Sequence, residues 1–205
     1  MTDAPPAVFV VDDDASLRMA LSRLIRSAGY RVLTFSSAGE FLESKVDDGP
    51  CCLVLDVRMP GQTGLDLQLE MKTRNLDFPI IFLTGHGDIS MSVKAMKEGA
   101  LNFLTKPVSD QDLLSAVQEA IETNIRVRSE RSEVTDLQDR MDSLTPRELE
   151  VFDHVVAGRL NKQIAYELDI SEKTVKVHRG RVMHKMQTDS LAELVRMAER
   201  LDITK

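Results

Sequence analysis

Short apolar runs recur along the first half of the chain, and three of them run directly into a charged residue. Val8–Val11 leads into Asp12 and Asp13, Cys52–Leu55 into Asp56, and Asn102–Thr105 into Lys106. A further run, Ile80–Leu83, ends on Thr84. Between the runs lie amphipathic stretches at helical spacing: Ala15–Ala28, Ala38–Glu43, Leu65–Arg74, Ile89–Glu98 and one beginning near Asp110. Gly29, Gly49, Gly61, Gly64 and Gly99 punctuate the joins. Alternation of this kind predicts βα units packed on a parallel sheet from Val8 to about Ile125, with room for five strands and five helices. In open parallel sheets, ligands bind beyond the carboxyl ends of the strands. That is the edge at which these charged residues would gather.

Asp110 to Asp142 contains neither Gly nor Pro, and Leu113, Val117, Ala120, Val127, Val134 and Met141 recur at near-heptad intervals. The spacing predicts one long helix. Polar Asn124 and Arg131 interrupt its seam, so a stable coiled coil and a solvated helical linker are both compatible with it. The pattern restarts at Thr145-Pro146-Arg147-Glu148, with Thr as N-cap, Pro at the first helical position and Glu three residues after the cap. Helices are then expected over Lys162–Leu168, from Ser171 to about Met186 after a turn at Asp169 and Ile170, and over Ser190–Leu201. The chain therefore divides into an α/β domain over 1–124, a helical linker over 125–141 and an all-α unit of four helices over 142–205.

A length of 205 residues accommodates two such domains, each with its own core. The 26 Lys and Arg against 33 Asp and Glu make the whole chain acidic, which by itself argues against nucleic acid. The charge is unevenly spread. Met1–Asp142 holds 15 basic and 23 acidic residues, a net −8, whereas Ser143–Lys205 holds 11 and 10, a net +1. The two halves are suited to different partners. Cys51 and Cys52 are adjacent in an apolar run and lack the spacing of a metal site or a disulfide framework, so both read as reduced core thiols. Met1–Pro6 has no basic region leading into an apolar stretch, and no run approaches membrane-spanning length. A cytoplasmic protein without a membrane partner is expected.

Taken singly, an Asp at a strand end usually caps a loop or helix, and a lone Lys is usually solvated. Gathered at one sheet edge, three acids repel and are tolerated when a cation sits among them. Mg²⁺ is the natural choice, because it takes oxygen ligands and commonly joins carboxylates to phosphate oxygens. Asp13 and Asp56 are expected as direct ligands, Asp12 as a ligand through water, and the Arg58 main-chain carbonyl completes the protein share. Asp56 is also the expected phosphoacceptor, since a carboxylate can attack an activated phosphoryl donor and form an acyl phosphate. Lys106 would place its charge on the transferred group, and the Thr84 hydroxyl would hold another of its oxygens. A phosphohydrolase with Asp56 as transient nucleophile is the enzymatic alternative. Val57-Arg58-Met59 carries no second acid two residues after Asp56, which counts against it.

Val10-Val11-Asp12-Asp13-Asp14, Leu55 to Gly61, Thr84-Gly85-His86-Gly87-Asp88 and Lys106-Pro107 resemble the motifs of CheY-like receiver domains of two-component response regulators, over about Ala7 to Asn124. The resemblance implies a doubly wound, flavodoxin-like (βα)5 fold with strand order 2-1-3-4-5. It further implies phosphotransfer from the phosphohistidine of a sensor histidine kinase to Asp56, dependence on Mg²⁺, and a cis Lys106-Pro107 peptide. It also implies a switch in which Thr84 moves toward the phosphoryl group while Phe103 turns inward, remodelling the surface of the fourth helix, fourth strand and fifth helix. An ordinary core aromatic is an equal reading of Phe103. His86 is assigned no role.

In the second half, Ser171 to Arg179 opens a helix whose exposed face would carry Lys173, Lys176, His178, Arg179 and Arg181, with Ile164, Leu168, Ile170, Val175 and Val182 as core. The shorter helix before it completes a helix-turn-helix that sets the second helix in the major groove. Basic faces alone are usually just solvated. Thr145-Pro146-Arg147-Glu148, Asn161 to Ala165, Thr174 to His178 and Lys185-Met186 resemble the LuxR-type helix-turn-helix domain, and the whole chain is most similar to the FixJ group within the FixJ/NarL response regulators. That resemblance makes Lys176 and Val177 the base-reading residues and places Thr174, His178, Arg179 and Lys173 nearer the phosphates. Gly180 departs from it, standing where several members carry a long side chain.

The expected protein is a phosphorylation-dependent transcriptional regulator, not an enzyme. Its partners would be a sensor histidine kinase, double-stranded promoter DNA, a second copy on phosphorylation, and RNA polymerase. A module acting through protein contacts alone is the binding-class alternative, and steep salt dependence of DNA binding separates the two.

Overall fold

The computed structural model describes residues 5–45, 49–85 and 89–201; His86, Gly87 and Asp88 lie outside the described residues, as do 1–4 and 202–205. Five strands form one sheet: β1 (Ala7–Val11), β2 (Arg31–Phe35), β3 (Cys51–Asp56), β4 (Ile80–Thr84) and β5 (Asn102–Thr105). They run parallel in the order β2-β1-β3-β4-β5, the doubly wound order expected. The crossovers are α1 (Ala15–Ser27), α2 (Ala38–Glu43), α3 (Gly64–Thr73) and α4 (Ile89–Lys97), and α5 (Asp110–Asp142) follows β5.

A parallel sheet covered by helices buries both faces of its central strands, so these read as continuous apolar runs. Alternate residues of β1 enter separate cores. Ala7, Phe9 and Val11 join Phe41, Leu67, Met71 and Phe82 on one face, while Val8 and Val10 join Leu21, Ile25, Leu113 and Val117 on the other. Cys51 and Cys52 are free and buried.

The heptad series along α5 is divided among different surroundings. Leu113, Val117 and Ala120 belong to the second of these cores. Asn124, 3% exposed, lies buried with its Oδ1 accepting the Cys51 main-chain N–H at 3.0 Å, so the polar break in the series satisfies the first donor of β3. Val134 is exposed and Met141 belongs to a third core. Contacts divide the chain after Arg128, and Ser129 opens the second unit.

That unit adds α6 (Pro146–Val156), α7 (Asn161–Glu167), α8 (Glu172–Lys185) and α9 (Leu191–Arg200) around Val151, Phe152, Ile164, Val175, Val182, Met186 and Leu194. Ile164, Val175 and Val182 are buried as expected, and Leu168 and Ile170 pack against the same core half-buried. Thr145 and Glu148 close a reciprocal capping box on α6. Glu148 is buried, and its carboxylate accepts from Lys185 Nζ at 2.7 Å and the Thr145 amide at 2.9 Å. The Lys185 hydrogen bond first, and the Thr145 amide next, hold its carboxyl at about 2. A depressed carboxyl contributes stability above its ordinary value, and that contribution disappears as pH falls through the folded value. Glu148→Gln is therefore expected to destabilise the helical unit by about 2–3 kcal/mol at neutral pH. In urea melts the gap to wild type should close between about pH 5 and pH 2; a gap constant across that range contradicts the assignment. Among the described residues no helix is long and apolar enough to cross a membrane.

Candidate functional site

The acids and the ammonium that the apolar runs deliver do meet at the carboxyl edge of the sheet. Asp12 follows β1, and Asp56 closes β3; both are buried, at 1% and 7% exposure, whereas Asp13 is exposed. Single oxygens of Asp12, Asp13 and Asp56 all lie within 4.8 Å of one another. Lys106, the residue after β5, places Nζ 2.7 Å from Asp12 Oδ2 and 3.2 Å from Asp56 Oδ2. Its peptide to Pro107 is cis, as the resemblance implied.

Local chemistry fixes each of these groups. Asp14 caps α1 through Ser16 and Leu17, and its own amide donates to Asp12 Oδ1 at 2.8 Å. Both Asp12 oxygens are thus engaged, one by this amide and one by Lys106. Arg18 Nη1 donates to the Asp12 carbonyl at 2.6 Å, tying α1 to the same loop. Gly64 opens α3 against the end of β3, with its amide on the Val57 carbonyl at 3.0 Å. A Cβ at Gly64 would lie 2.2 Å from the Asp56 carbonyl oxygen, so only glycine permits this approach. Thr84 ends β4 fully buried, and its carbonyl accepts the Lys106 amide at 2.7 Å. Phe103, central in β5, is half-buried, packs against the first core and lies 6.2 Å from the Phe82 ring centroid.

Burial raises the Asp56 carboxyl above its ordinary value and the Asp12 charge adds to this; Lys106 and the Arg58 main-chain N–H oppose them. Burial works against charge on Lys106 too, but Asp12 and Asp56 outweigh it and the ammonium is raised. One ammonium does not fully compensate this cluster, which is the electrostatic condition a divalent cation relieves. The all-oxygen donor set, with one carboxylate open to water, fits a hard cation that keeps part of its hydration. The acidic pocket is of the type that binds divalent metal.

In the second unit, Ser171 caps α8 by accepting the Thr174 amide, and Asp169 makes the preceding turn at φ 52°, a left-handed position that Asp tolerates. Successive helix residues are about 100° apart, so Lys173, Val177, Gly180 and His184 line the middle of the outer face of α8, flanked by Lys176 and Arg181; all six are exposed. The expected exposure does not hold for His178 and Arg179, which sit half-buried on the flanks of the inner face. Arg179 Nη1 donates to Asn161 Oδ1 at 2.9 Å, linking α8 to α7, and His178 Nδ1 is buried without a partner among the described residues. Thr174 is half-buried and shares a 2.8 Å hydroxyl contact with Ser171. Open space surrounds the Cβ direction of Gly180, so nothing within the protein requires glycine there. Gly180→Ala is expected to stabilise the helix by about 1 kcal/mol, read as a higher unfolding midpoint; an unchanged or lower midpoint contradicts this.

Several residues that matter to these sites escaped sequence reading. Asn124 showed only as a break in a heptad series, and Gly64 only as a join. Gln68, 2% exposed, donates its amide to the Ala95 and Glu98 carbonyls at the end of α4, and no pattern marked it.

A doubly wound sheet that collects acids around an ammonium, in a chain that continues into a helix-turn-helix, defines a two-component response regulator that acts on transcription. The comparisons agree. The family described as "Response regulator receiver domain" matches residues 8–118, and "Bacterial regulatory proteins, luxR family" matches 142–198. The chain belongs to the response regulators of the FixJ-like type, with a receiver domain and a LuxR-type DNA-binding domain. It is 51% identical to Nodulation protein W of Bradyrhizobium diazoefficiens over 96% of this chain and 87% of the relative. It is 44% identical to the transcriptional regulatory protein FixJ of the same species, over 94% of each. The solved response regulator StyR superposes with a TM-score of 0.89 at 47% identity, covering 96% of this chain and all of the other. Membership implies a histidine kinase partner and DNA as ligand, and places the chain among transcription factors instead of catalytic enzymes.

Proposed function

We propose that this protein is a phosphorylation-dependent transcriptional regulator whose phosphoacceptor is Asp56. The observation that carries the reading is the cluster in which Asp12, Asp13 and Asp56 offer oxygens within 4.8 Å while Lys106 spans Asp12 and Asp56. Asp13, Asp56 and the Arg58 main-chain carbonyl would hold Mg²⁺, and Asp12, its oxygens already engaged, would act through water. When bound, the cation neutralises carboxylate and phosphoryl charge. An Asp56 carboxylate oxygen attacks phosphorus of the kinase phosphohistidine; the O–P bond forms, the P–N bond breaks, and the imidazole leaves with the bonding pair and takes up a proton. Lys106 holds the charge of the transferred group, and the Thr84 hydroxyl turns to another of its oxygens. Phe103, half-buried beside Phe82, then turns inward and remodels the surface of α4, β4 and α5.

The functional divisions are a receiver over 1–124, a helical linker over 125–141 and a DNA-binding domain over 142–205. Phosphorylation raises the population of a homodimer, and two copies of α8 engage two half-sites with a gain in effective concentration. Lys176 and Val177 read bases; Lys173 and Arg181 meet the backbone from exposed positions, and Thr174, His178 and Arg179 approach it from half-buried ones. RNA polymerase is the further partner of a regulator that acts in the cytoplasm, where the chromosome lies. Sizing the full chain with and without a beryllofluoride mimic and Mg²⁺ tests the coupling. A shift toward dimer on addition, absent from Asp56→Asn, is expected; an unchanged mass with retained DNA binding overturns it.

A further inference from the structure

We infer that Gln68 is a latch in the receiver: its side-chain amide holds the C-terminal end of α4 against α3 while Asp56 is unmodified and releases it when Asp56 is phosphorylated. The inference rests on the phosphorylation-dependent reading above and names a positioning residue that couples the pocket to α4.

Gln68 stands between the two arms of that switch. α3 begins on the phosphoacceptor: Gly64, its first residue, donates to the Val57 carbonyl at 3.0 Å and leaves no space for a Cβ beside the Asp56 carbonyl. Gln68 lies four residues later, so the two share one buried face of the helix. α4 instead follows β4, which ends on Thr84. A phosphoryl group that joins Asp56 and draws in Thr84 pulls on the strand end that leads into α4, while α3 stays seated on β3. The relative displacement falls on the contact between α3 and α4.

That contact is built to yield. Gln68 Nε2 forks between the Ala95 carbonyl at 3.2 Å and the Glu98 carbonyl at 3.1 Å. Gly99, at φ 89°, turns the chain out of the helix there, and the Ala100 amide also donates to Ala95. At the other end of the Gln68 amide, Oε1 is buried without a hydrogen-bond partner among the described residues. Two carbonyl acceptors fix the nitrogen in place, so exchanging the ends of the amide gives no relief. A buried acceptor left unpaired costs roughly what the two hydrogen bonds contribute. Opening the contact breaks both bonds but lets water reach Oε1, so closed and open forms lie close in free energy and a modest pull at Thr84 decides between them. A second link, Lys72 Nζ to Glu98 Oε2 at 2.6 Å, joins two exposed side chains and resists such a displacement weakly.

The test uses the full chain titrated with beryllofluoride at fixed Mg²⁺, with fluorine NMR reading occupancy and light scattering reading dimer. Gln68→Leu removes both donors and the unpaired oxygen at similar volume. It should lower the half-saturating beryllofluoride concentration about tenfold, because a larger fraction of the receiver is already competent to bind. The dimer fraction of the free protein should rise with it. A residue that only supports the fold would change the unfolding midpoint and leave half-saturation at or above wild type; that result overturns the inference. The wild type supplies an independent reading. Its Gln68 side-chain amide protons should exchange with solvent at least about tenfold faster once beryllofluoride is bound, since release exposes them to water. Equal protection in both states overturns the latch even if the variant does not fold. Failure of the wild type to take up beryllofluoride is a distinct result, which overturns the phosphoacceptor reading and the latch with it.

Discussion

Asp56→Asn should lower Mg²⁺-dependent labelling by acetyl phosphate at least about 100-fold, because an amide cannot serve as the attacking carboxylate. The substitution is nearly isosteric, and Lys106 keeps its 2.7 Å partner in Asp12, so the pocket retains its shape. A thermal readout separates loss of chemistry from loss of fold. Burial raises the Asp56 carboxyl, with the Asp12 charge adding to it. The folded state then holds this proton more tightly than the unfolded state, so stability is lost as pH rises from the ordinary carboxylate value through the raised one. In metal-free solution at neutral pH, Asp56→Asn should melt above wild type. Added Mg²⁺ should raise the wild-type midpoint through preferential binding to the folded state and move the variant much less. Stoichiometric labelling retained by Asp56→Asn would remove Asp56 from its role, and a Mg²⁺ response equal to wild type would remove it from the metal site.

The reason so much of this pocket was legible is that its chemistry lies at strand ends, and the strands that deliver it are apolar runs bounded by polar residues. β1, β3, β4 and β5 correspond to the four runs. β2 stood out less because exposed Arg31 opens it and exposed Thr34 interrupts its apolar residues before Phe35. The boundaries of α2 were read to the residue, since Ser37 caps it and Glu43 ends it.

Illegible features depended on partners distant in the chain. Asn124 looks like a polar defect in a heptad until the Cys51 amide is placed beside it. Gly64 looks like a generic join until the Asp56 carbonyl is found where its Cβ would be. In α8, residue type placed His178 and Arg179 with the other basic side chains, but helical phase turns them toward the core. Periodicity specifies which residues share a face. A buried anchor such as Val175 is needed to say which face is inside.

That phase also sets the largest expected effect on DNA binding. Lys176 is exposed on one flank of the outer face, beside Val177 at 48% exposure, and neither stabilises the fold by burial. Lys176→Glu should therefore leave the unfolding midpoint near wild type. On DNA it removes a donor and places a carboxylate against the duplex. Loss of one base contact costs about 1–3 kcal/mol, and a dimer repeats the loss at both half-sites, so specific binding should fall at least about 30-fold. Non-specific binding should also fall, with a shallower salt dependence, because fewer counterions are released. Lys176→Gln separates the two contributions: it should lose most of the discrimination between selected and unselected duplexes while recovering part of the non-specific affinity. Phosphoryl labelling at Asp56 should be unaffected in both variants. If Lys176→Glu binds the selected duplex as wild type does, α8 does not read DNA through this flank, and base recognition must come from another part of its exposed face.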